Sequence, residues 1–108
     1  MVSTGLSDLE KGILQWQAET FPQSTPQGVM IHLQREFAEL AEIYYLRGTD
    51  ASVDKLMSEL ADIFILSVSL ADHFERSLIN AVIWKMKENK ARKWAEPDEE
   101  GVIEHVRE

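Results

Sequence analysis

Two pairs of acidic residues recur with the same spacing in the central part of the chain. Glu36 and Glu39 form the first pair, and Glu59 and Asp62 form the second. Residues three apart lie close together on one face of a helix, so each pair can present two carboxylates in a similar direction. Four carboxylates are a suitable ligand set for a hard divalent cation.

The two pairs also occupy matching positions relative to the hydrophobic residues around them. At about 100° per residue, Glu36 lies inside the apolar sector of its helix and Glu39 lies at the edge of that sector. Glu59 likewise lies inside the apolar sector of the next helix, and Asp62 lies just beyond it. The spacing therefore predicts four acids on two neighbouring helices, each pair set into one flank of a hydrophobic stripe.

Acids in such positions need a counter-charge, because partly buried carboxylates close to one another repel strongly. No Lys or Arg lies in these two stripes, and the chain has no Cys. Oxygen ligands alone favour Mg²⁺ or Mn²⁺ over zinc or copper. A single acid pair is typical of a solvated helix face, but two matched pairs favour a metal site. A di-iron bundle would need Glu-x-x-His motifs, which the sequence lacks.

A basic segment follows near the end of the last predicted helix. Lys85, Asn89 and Arg92 continue its apolar stripe at spacings of four and three residues. The two cations could bind phosphate oxygens, and the amide could donate a hydrogen bond. The alternative is an ordinary solvated helix end, where basic residues complement the helix dipole.

Trp16, Phe21 and His32 carry rings near the start of the second helix. Trp16 and Phe21 could stack on a nucleotide base, although such residues more often belong to the core. His32 lies on the same side of its helix as Glu39. It could contact a ligand, but a histidine satisfied at the edge of the core is the favoured interpretation.

Hydrophobic periodicity predicts an all-α protein of four helices packed side by side. Ser7 and Glu10 have the spacing of a capping box and predict the first helix start. Thr25 followed by Pro26 predicts the start of the second helix. The predicted helices are Ser7 to about Thr20, Pro26 to about Leu46, Ser52 to about His73, and Ser77 to about Trp94. The second helix carries the apolar stripe Val29, Leu33, Phe37, Leu40 and Tyr44.

Length and composition limit the remaining possibilities. The chain has 108 residues and a formal net charge of −8, which predict one domain and disfavour broad binding to nucleic acid. Residues 1–6 and 96–108 are expected to be flexible tails. No apolar run is long enough to span a membrane and no signal peptide is evident, so a cytoplasmic location without membrane partners is expected. Small domains often gain stability by pairing with copies of themselves.

The acid pairs resemble a known family signature. Glu36-Phe-Ala-Glu39-Leu, followed by Glu59-Leu-Ala-Asp62, resembles the ExxE…ExxD signature of MazG-like nucleotide pyrophosphohydrolases. Many members carry a further acid directly before the first Glu, where this chain has Arg35. That departure leaves the number of metal ions at the site open.

Two further segments extend the resemblance to roughly residues 12–96. The run Lys85…Asn89…Arg92 is similar to the basic segment that follows the acid pairs in that family. The region around Trp16 and Phe21 is similar to the start of its all-α members, including those acting on deoxycytidine triphosphates.

The resemblance implies a four-helix MazG-like bundle completed by dimerisation, as a homodimer or a dimer of dimers. It implies hydrolysis of a nucleoside triphosphate between the α and β phosphates, which releases a monophosphate and pyrophosphate and usually serves nucleotide-pool house-cleaning. All four acids would hold Mg²⁺, for which Mn²⁺ could substitute, and Glu36 or Glu39 would orient or deprotonate the attacking water. Lys85, Asn89 and Arg92 would bind the substrate with Trp16 and Phe21. The alternatives are a non-catalytic helical module that binds a nucleotide or a protein, and a purely structural dimerisation module.

Overall fold

The computed structural model describes residues 4–46 and 50–107, and within these ranges it is all-α with no β-strand, as predicted. The helices are α1 (Thr4–Thr20), α2 (Pro26–Leu46), α3 (Asp50–His73) and α4 (Leu78–Ala91). α2 and α3 form the most extensive helix–helix contact. α1 and α4 pack against α3 and against each other. Both acid pairs therefore lie on one helical hairpin.

The start of α2 follows the prediction. The Gly28 amide donates to the Thr25 hydroxyl oxygen at 3.1 Å, which caps the helix just before Pro26. A Cβ added at Gly28 would lie 3.2 Å from that oxygen, so glycine leaves space for the cap. A hydroxyl cap and a proline at the first helical position satisfy or remove amides that have no partner within the helix.

The predicted start of α1 is wrong, because the helix already begins at Thr4 and Ser7 lies inside it. Glu10 does not turn back to cap its own helix. Its carboxylate accepts hydrogen bonds from the Ser77 hydroxyl at 2.8 Å and from the Ile79 amide at 3.2 Å. Glu10 is 8% exposed. It therefore completes the first turn of α4 from a position 67 residues earlier in the chain.

The turn between α3 and α4 closes the end of α3 with two backbone hydrogen bonds. The Arg76 amide donates to the Ala71 carbonyl at 3.1 Å, and the Glu75 amide donates to the Asp72 carbonyl at 2.8 Å. This is the Schellman arrangement, which places one residue in the left-handed region. That residue is Glu75, with φ of 59°. The predicted turn at Glu75 and Arg76 is confirmed.

α4 ends at Ala91, three residues before the predicted end, because the chain reverses direction there. Trp94 pairs with His105 in an isolated antiparallel bridge, and its indole N–H donates to the Asn89 carbonyl at 3.0 Å. The Val106 amide donates to the Lys93 carbonyl at 2.7 Å. The segment predicted as an exposed tail is mostly exposed but doubles back beside the end of α4.

The core of a single chain is small for its length. Within the described residues, four hydrophobic side chains are buried: Val29, Leu33, Val68 and Ile79. Phe37 and Tyr44, which the α2 stripe places with the core residues, are 55% and 49% exposed. That expectation is wrong for one chain, because the described residues leave about half of each of these two side chains exposed.

The overall dimensions agree with an open shape. The accessible surface is 8787 Å², whereas a compact monomer of 12.4 kDa exposes about 6,100 Å². The radius of gyration is 16.6 Å, against about 13 Å for a compact domain of this length. No helix in the described parts of the chain has both the length and the apolar character needed to cross a membrane.

Candidate metal centre

Three of the four predicted metal ligands converge between α2 and α3. One carboxylate oxygen each from Glu36, Glu59 and Asp62 lies within 4.8 Å of the others. Glu36 comes from the middle of α2, and the other two come from facing turns of α3. The convergence follows from the pairing of these two helices, since each presents its flanking acids to the same side.

The fourth predicted ligand, Glu39, lies outside this group of three but remains close to Glu59. Hydrogen bonding between the two side chains affects the Glu59 carboxyl. The burial pattern follows the helical geometry, because Glu36 and Glu59 are partly buried while Glu39 and Asp62 are exposed. The inner and outer positions inferred from the sequence are thus the positions observed.

The acid cluster of Glu36, Glu59 and Asp62 has the properties of a cation site. Glu36 Oε2 and Glu59 Oε2 are buried, and neither has a hydrogen-bond partner. Among residues 4–46 and 50–107, no Lys or Arg forms an ion pair with any of the four acids. Buried carboxylate oxygens without a partner are costly, and a hard divalent cation would satisfy them. The residues present therefore fit Mg²⁺ or Mn²⁺.

Crowding of the acids changes the titration of Glu59. Hydrogen bonding to Glu36 raises the pKa of Glu59 above its ordinary 4.5, and burial and the negative charges of Glu36 and Asp62 act in the same direction. Hydrogen bonding to Glu39 opposes the rise in pKa. Like charges at close range favour retention of a proton. A bound cation would supply the missing positive charge and favour the ionised form of Glu59.

His32 extends the cluster by one residue along α2. Its Nε2 lies 3.1 Å from Glu36 Oε1, and its side chain is 56% exposed. The interpretation favoured from the sequence was that His32 lies at the edge of the core with its hydrogen bonds satisfied. In the structure the ring is instead exposed and forms a hydrogen bond with Glu36 Oε1, whereas Glu36 Oε2 has no partner. His32 thereby holds the orientation of the Glu36 carboxylate.

A cavity of about 690 Å³ opens beside the acid cluster. Its lining includes Trp16, Gln17, Phe21, His32, Glu36 and Asp62. Pockets of this size accommodate a small ligand the size of a nucleotide. One cavity therefore joins part of the predicted metal site to the two aromatic residues predicted from the sequence.

The aromatic wall of the cavity is held by α1 and the loop at residues 21–25. The Trp16 and Phe21 rings are perpendicular, with centroids 5.3 Å apart, and each residue is 52% exposed. The Ser24 hydroxyl lies 3.1 Å from His73 Nε2, which connects the loop to the end of α3. The rings are therefore surface-accessible walls of a cavity and not buried core residues.

The basic residues of α4 have a different environment. Lys85 Nζ and Arg92 Nη2 both pair with Glu88 Oε1, at 2.7 and 2.9 Å. Neither cation lines the 690 Å³ cavity. Asn89 is partly buried, and its Oδ1 atom is buried without a partner. Within one chain, then, the structure does not bring the predicted phosphate-binding residues to the acid cluster.

One polar residue of the cavity was missed by the sequence reasoning. Gln17 Oε1 is buried and has no hydrogen-bond partner. Glutamine is common on helices and carries no charge, so nothing in the local pattern distinguishes Gln17 from the exposed Gln15 two residues earlier. Its placement depends on the packing of α1 against α3.

Comparisons with known proteins agree with this geometry. The sequence model of a family described as dATP/dGTP pyrophosphohydrolase matches residues 9–108. A dATP/dGTP diphosphohydrolase of Salmonella phage PMBT28 is 35% identical over 105 residues, which cover 96% of this chain and 33% of that protein. A dATP/dGTP diphosphohydrolase of Cyanophage S-2L is 30% identical over 101 residues, which cover 94% of this chain and 88% of that protein. The chain thus spans a third of the first relative and most of the second.

A solved structure is similar over the whole chain. It is the Cyanophage S-2L MazG-like pyrophosphohydrolase, bound to dGDP and three catalytic Mn²⁺ ions per active site. The TM-score is 0.69 at 27% sequence identity, and the match covers 100% of this chain and 99% of that one. The predicted MazG-like resemblance and the four-helix all-α class are both confirmed.

Proposed function

The chain belongs to the dATP/dGTP pyrophosphohydrolase family, and we propose that it is a nucleoside triphosphate pyrophosphohydrolase, as predicted from its sequence, which hydrolyses dATP and dGTP. The bond broken is the one between the α and β phosphates, and the products are the deoxynucleoside monophosphate and pyrophosphate.

The observation that supports this proposal is the position of the acid cluster at the wall of the cavity. Glu36 and Asp62 contribute to both. A triphosphate held beside the cluster would leave its base free to reach the rings of Trp16 and Phe21. A nucleoside triphosphate is a ligand with both the negative charge and the flat apolar end that these two regions require.

Mg²⁺ is the proposed cation, and Mn²⁺ would substitute for it. Glu36, Glu59 and Asp62 would hold it, with Glu39 completing the set from the exposed edge. When bound, the cation neutralises triphosphate charge and polarises the phosphorus under attack. Since magnesium retains waters and shares its shell with phosphates, an acid cluster open to a cavity suits it.

The remaining roles belong to side chains of this chain. Glu36 or Glu39 would orient or deprotonate the attacking water. Trp16 and Phe21 would hold the base. Lys85 and Arg92 would exchange their shared Glu88 partner for phosphate oxygens, and Asn89 would donate a hydrogen bond to the substrate. Because none of these three lines the cavity within one chain, this assignment requires either movement of α4 or a site shared between subunits.

The protein is proposed to act as a homodimer or a dimer of dimers. Its accessible surface exceeds that of a compact monomer by about 2,700 Å², and a large permanent interface buries about 1,000–2,500 Å² per subunit. The exposed Phe37 and Tyr44 would belong to that interface. Light scattering coupled to size-exclusion chromatography should give at least twice the mass of one chain, and a monomer at micromolar concentration would contradict this proposal.

The proposed role is house-cleaning of the cytoplasmic nucleotide pool. Production of the protein in cells should lower dATP and dGTP relative to dCTP and dTTP in extracted pools. An unchanged ratio in cells that contain soluble, active protein would contradict the role without affecting the reaction.

The central experiment incubates the purified protein with each common deoxynucleoside triphosphate, with Mg²⁺, with Mn²⁺ and with a chelator. Monophosphate and pyrophosphate should appear together, chiefly from dATP and dGTP and only with a cation. Release of single phosphate would contradict the reaction. Binding without turnover would favour the non-catalytic nucleotide-binding module.

A matched pair of variants separates the enzyme from a purely structural module. Glu59→Gln removes a charge from the acid cluster and should lower kcat by at least about a hundredfold. Glu42→Gln changes an exposed acid of α2 and should leave kcat unchanged. Circular dichroism should show the same helix content in both. Equal activity of the two variants would exclude the proposed metal site.

A further inference from the structure

Two residues that line the cavity beside the acid cluster, Gln17 and Glu36, each have a buried oxygen atom without a hydrogen-bond partner. Glu36 Oε2 belongs to the acid cluster and is accounted for by a cation. Gln17 Oε1 belongs to the aromatic wall, one residue after Trp16, and the metal chemistry does not use it. A buried amide oxygen without a partner costs about 1–3 kcal/mol, so a ligand group that donates to it is the simplest explanation.

Two hydroxyl groups of the aromatic wall already have partners nearby. The Thr25 hydroxyl accepts from the Gly28 amide, and the Ser24 hydroxyl lies within hydrogen-bond distance of His73. Gln17 is therefore the buried polar group of this wall that is available to a ligand within the described residues. The perpendicular rings of Trp16 and Phe21 let a flat base stack on one ring while its rim meets the other.

We propose that the Gln17 carboxamide reads the Watson–Crick edge of the purine, and that its rotation lets the site accept both adenine and guanine. This inference rests on the proposed function, because it assumes that the base of the substrate occupies this cavity. Gln17 is here a specificity-determining residue and takes no part in the chemical step.

The chemistry of the two bases explains why a carboxamide suits both. Adenine presents a donor at the 6-amino group and an acceptor at N1. Guanine presents an acceptor at O6 and a donor at N1. A carboxamide carries one acceptor oxygen and one donor nitrogen, so a half-turn about its last bond exchanges the two. Cytosine and thymine repeat these two patterns on a smaller ring, so they would be separated by reach and not by hydrogen-bond pattern.

Substitution by glutamate makes the inference testable, because Gln17→Glu keeps the shape and removes the donor. A carboxylate can accept from both N1–H and the 2-amino group of guanine, but from adenine it accepts only at the 6-amino group. The ratio of kcat/KM for dGTP over dATP should rise at least about tenfold. Deoxyinosine triphosphate, which lacks the 2-amino group, should gain less than dGTP.

Gln17→Leu removes all hydrogen bonding and should lower kcat/KM for both purines about tenfold to a hundredfold, mainly through KM. The matched controls are Gln15→Glu and Gln15→Leu, since Gln15 is exposed on α1 and does not line the cavity. Neither control should change the ratio between dGTP and dATP. Circular dichroism would verify that each variant folds.

Binding should be measured beside turnover, by calorimetric titration of each protein in Mg²⁺ with analogues of dATP and dGTP that carry a non-hydrolysable methylene bridge between the α and β phosphates. An unchanged ratio of dissociation constants in Gln17→Glu overturns the inference even if hydrolysis proceeds as proposed. A shifted ratio in a protein without turnover supports the inference and overturns the proposed reaction. Absence of any nucleotide binding by the wild-type protein overturns both.

Discussion

Replacement of Glu10 by Ala should destabilise the protein more than loss of any exposed acid. Glu10 is 8% exposed, and it accepts hydrogen bonds from the Ser77 hydroxyl and the Ile79 amide at 2.8 and 3.2 Å. A hydrogen bond to a charged group contributes about 1.5–3 kcal/mol. With the lower value for each bond, Glu10→Ala should lower the free energy of unfolding by about 3 kcal/mol.

Urea denaturation followed by circular dichroism, at one fixed protein concentration, measures this effect. Fixed concentration matters because self-association contributes to apparent stability. Glu19→Ala, at an exposed position of the same helix, is the control and should change stability by less than about 0.5 kcal/mol. Glu10→Gln should fall between the two, since an amide keeps one acceptor oxygen but no charge.

The partner of Glu10 can be tested by a double-mutant cycle with Ser77→Ala. Residues that share a hydrogen bond should give a coupling energy of about 0.5–3 kcal/mol, so the double variant should lose less stability than the two single losses combined. Glu10 does not cap α4 as described if Glu10→Ala lowers the free energy of unfolding by no more than Glu19→Ala does. The same conclusion follows if the stability losses of Glu10→Ala and Ser77→Ala simply add in the double variant.

Three further predictions follow from the acids described above. Without metal, Glu59→Gln should raise the melting temperature at neutral pH. The pKa of Glu59 is raised in the folded protein, so the protonated carboxyl contributes to stability below about pH 4.5. That contribution is lost as the pH rises through the raised pKa. Mg²⁺ should stabilise the wild-type protein but not this variant. A metal-free melting temperature lower in the variant than in the wild type would contradict repulsion among the acids. Glu75→Gly should increase the free energy of unfolding by about 0.5–1 kcal/mol in urea denaturation, because glycine adopts the left-handed conformation without strain. A lower free energy of unfolding in this variant would contradict the left-handed conformation at Glu75. Hydrogen bonding to Lys85 lowers the pKa of Glu88. The ionised Glu88 carboxylate therefore contributes to the stability of the folded protein above about pH 4.5, and this contribution is lost as acid protonates the carboxylate. Urea denaturation from about pH 3 to 7 should therefore show a smaller acid-induced loss in Glu88→Gln than in wild type, and equal losses would argue against the pair.

Local patterns in the sequence predicted the helices and the inner and outer positions of the acids. α2 has the predicted bounds because Thr25 and Pro26 are local signals that act within one turn. The burial of Glu36 and Glu59 was predictable because a helix fixes the direction of each side chain relative to its neighbours. Only the pairing of α2 with α3 had to be assumed in order to place three of the acids together.

Features that depend on distant parts of the chain were not predictable in this way. Glu10 has the spacing of a local cap, but its carboxylate is used by α4, and no local pattern indicates that choice. Phe37 belongs to a regular stripe, yet the described part of the chain leaves it 55% exposed. Gln17 becomes notable only when packing buries its amide oxygen in the cavity.

The two walls of the cavity are encoded by separate stretches of chain. The rings and the amide proposed to contact the base lie within residues 16–25, whereas the two acids that line the cavity, Glu36 and Asp62, belong to α2 and α3. If the base and the cation bind as proposed, substitutions in the first stretch would alter the choice of nucleobase while the acids of α2 and α3 stay unchanged. A chimera that takes residues 16–25 from a relative with another base preference would transfer that preference as one block.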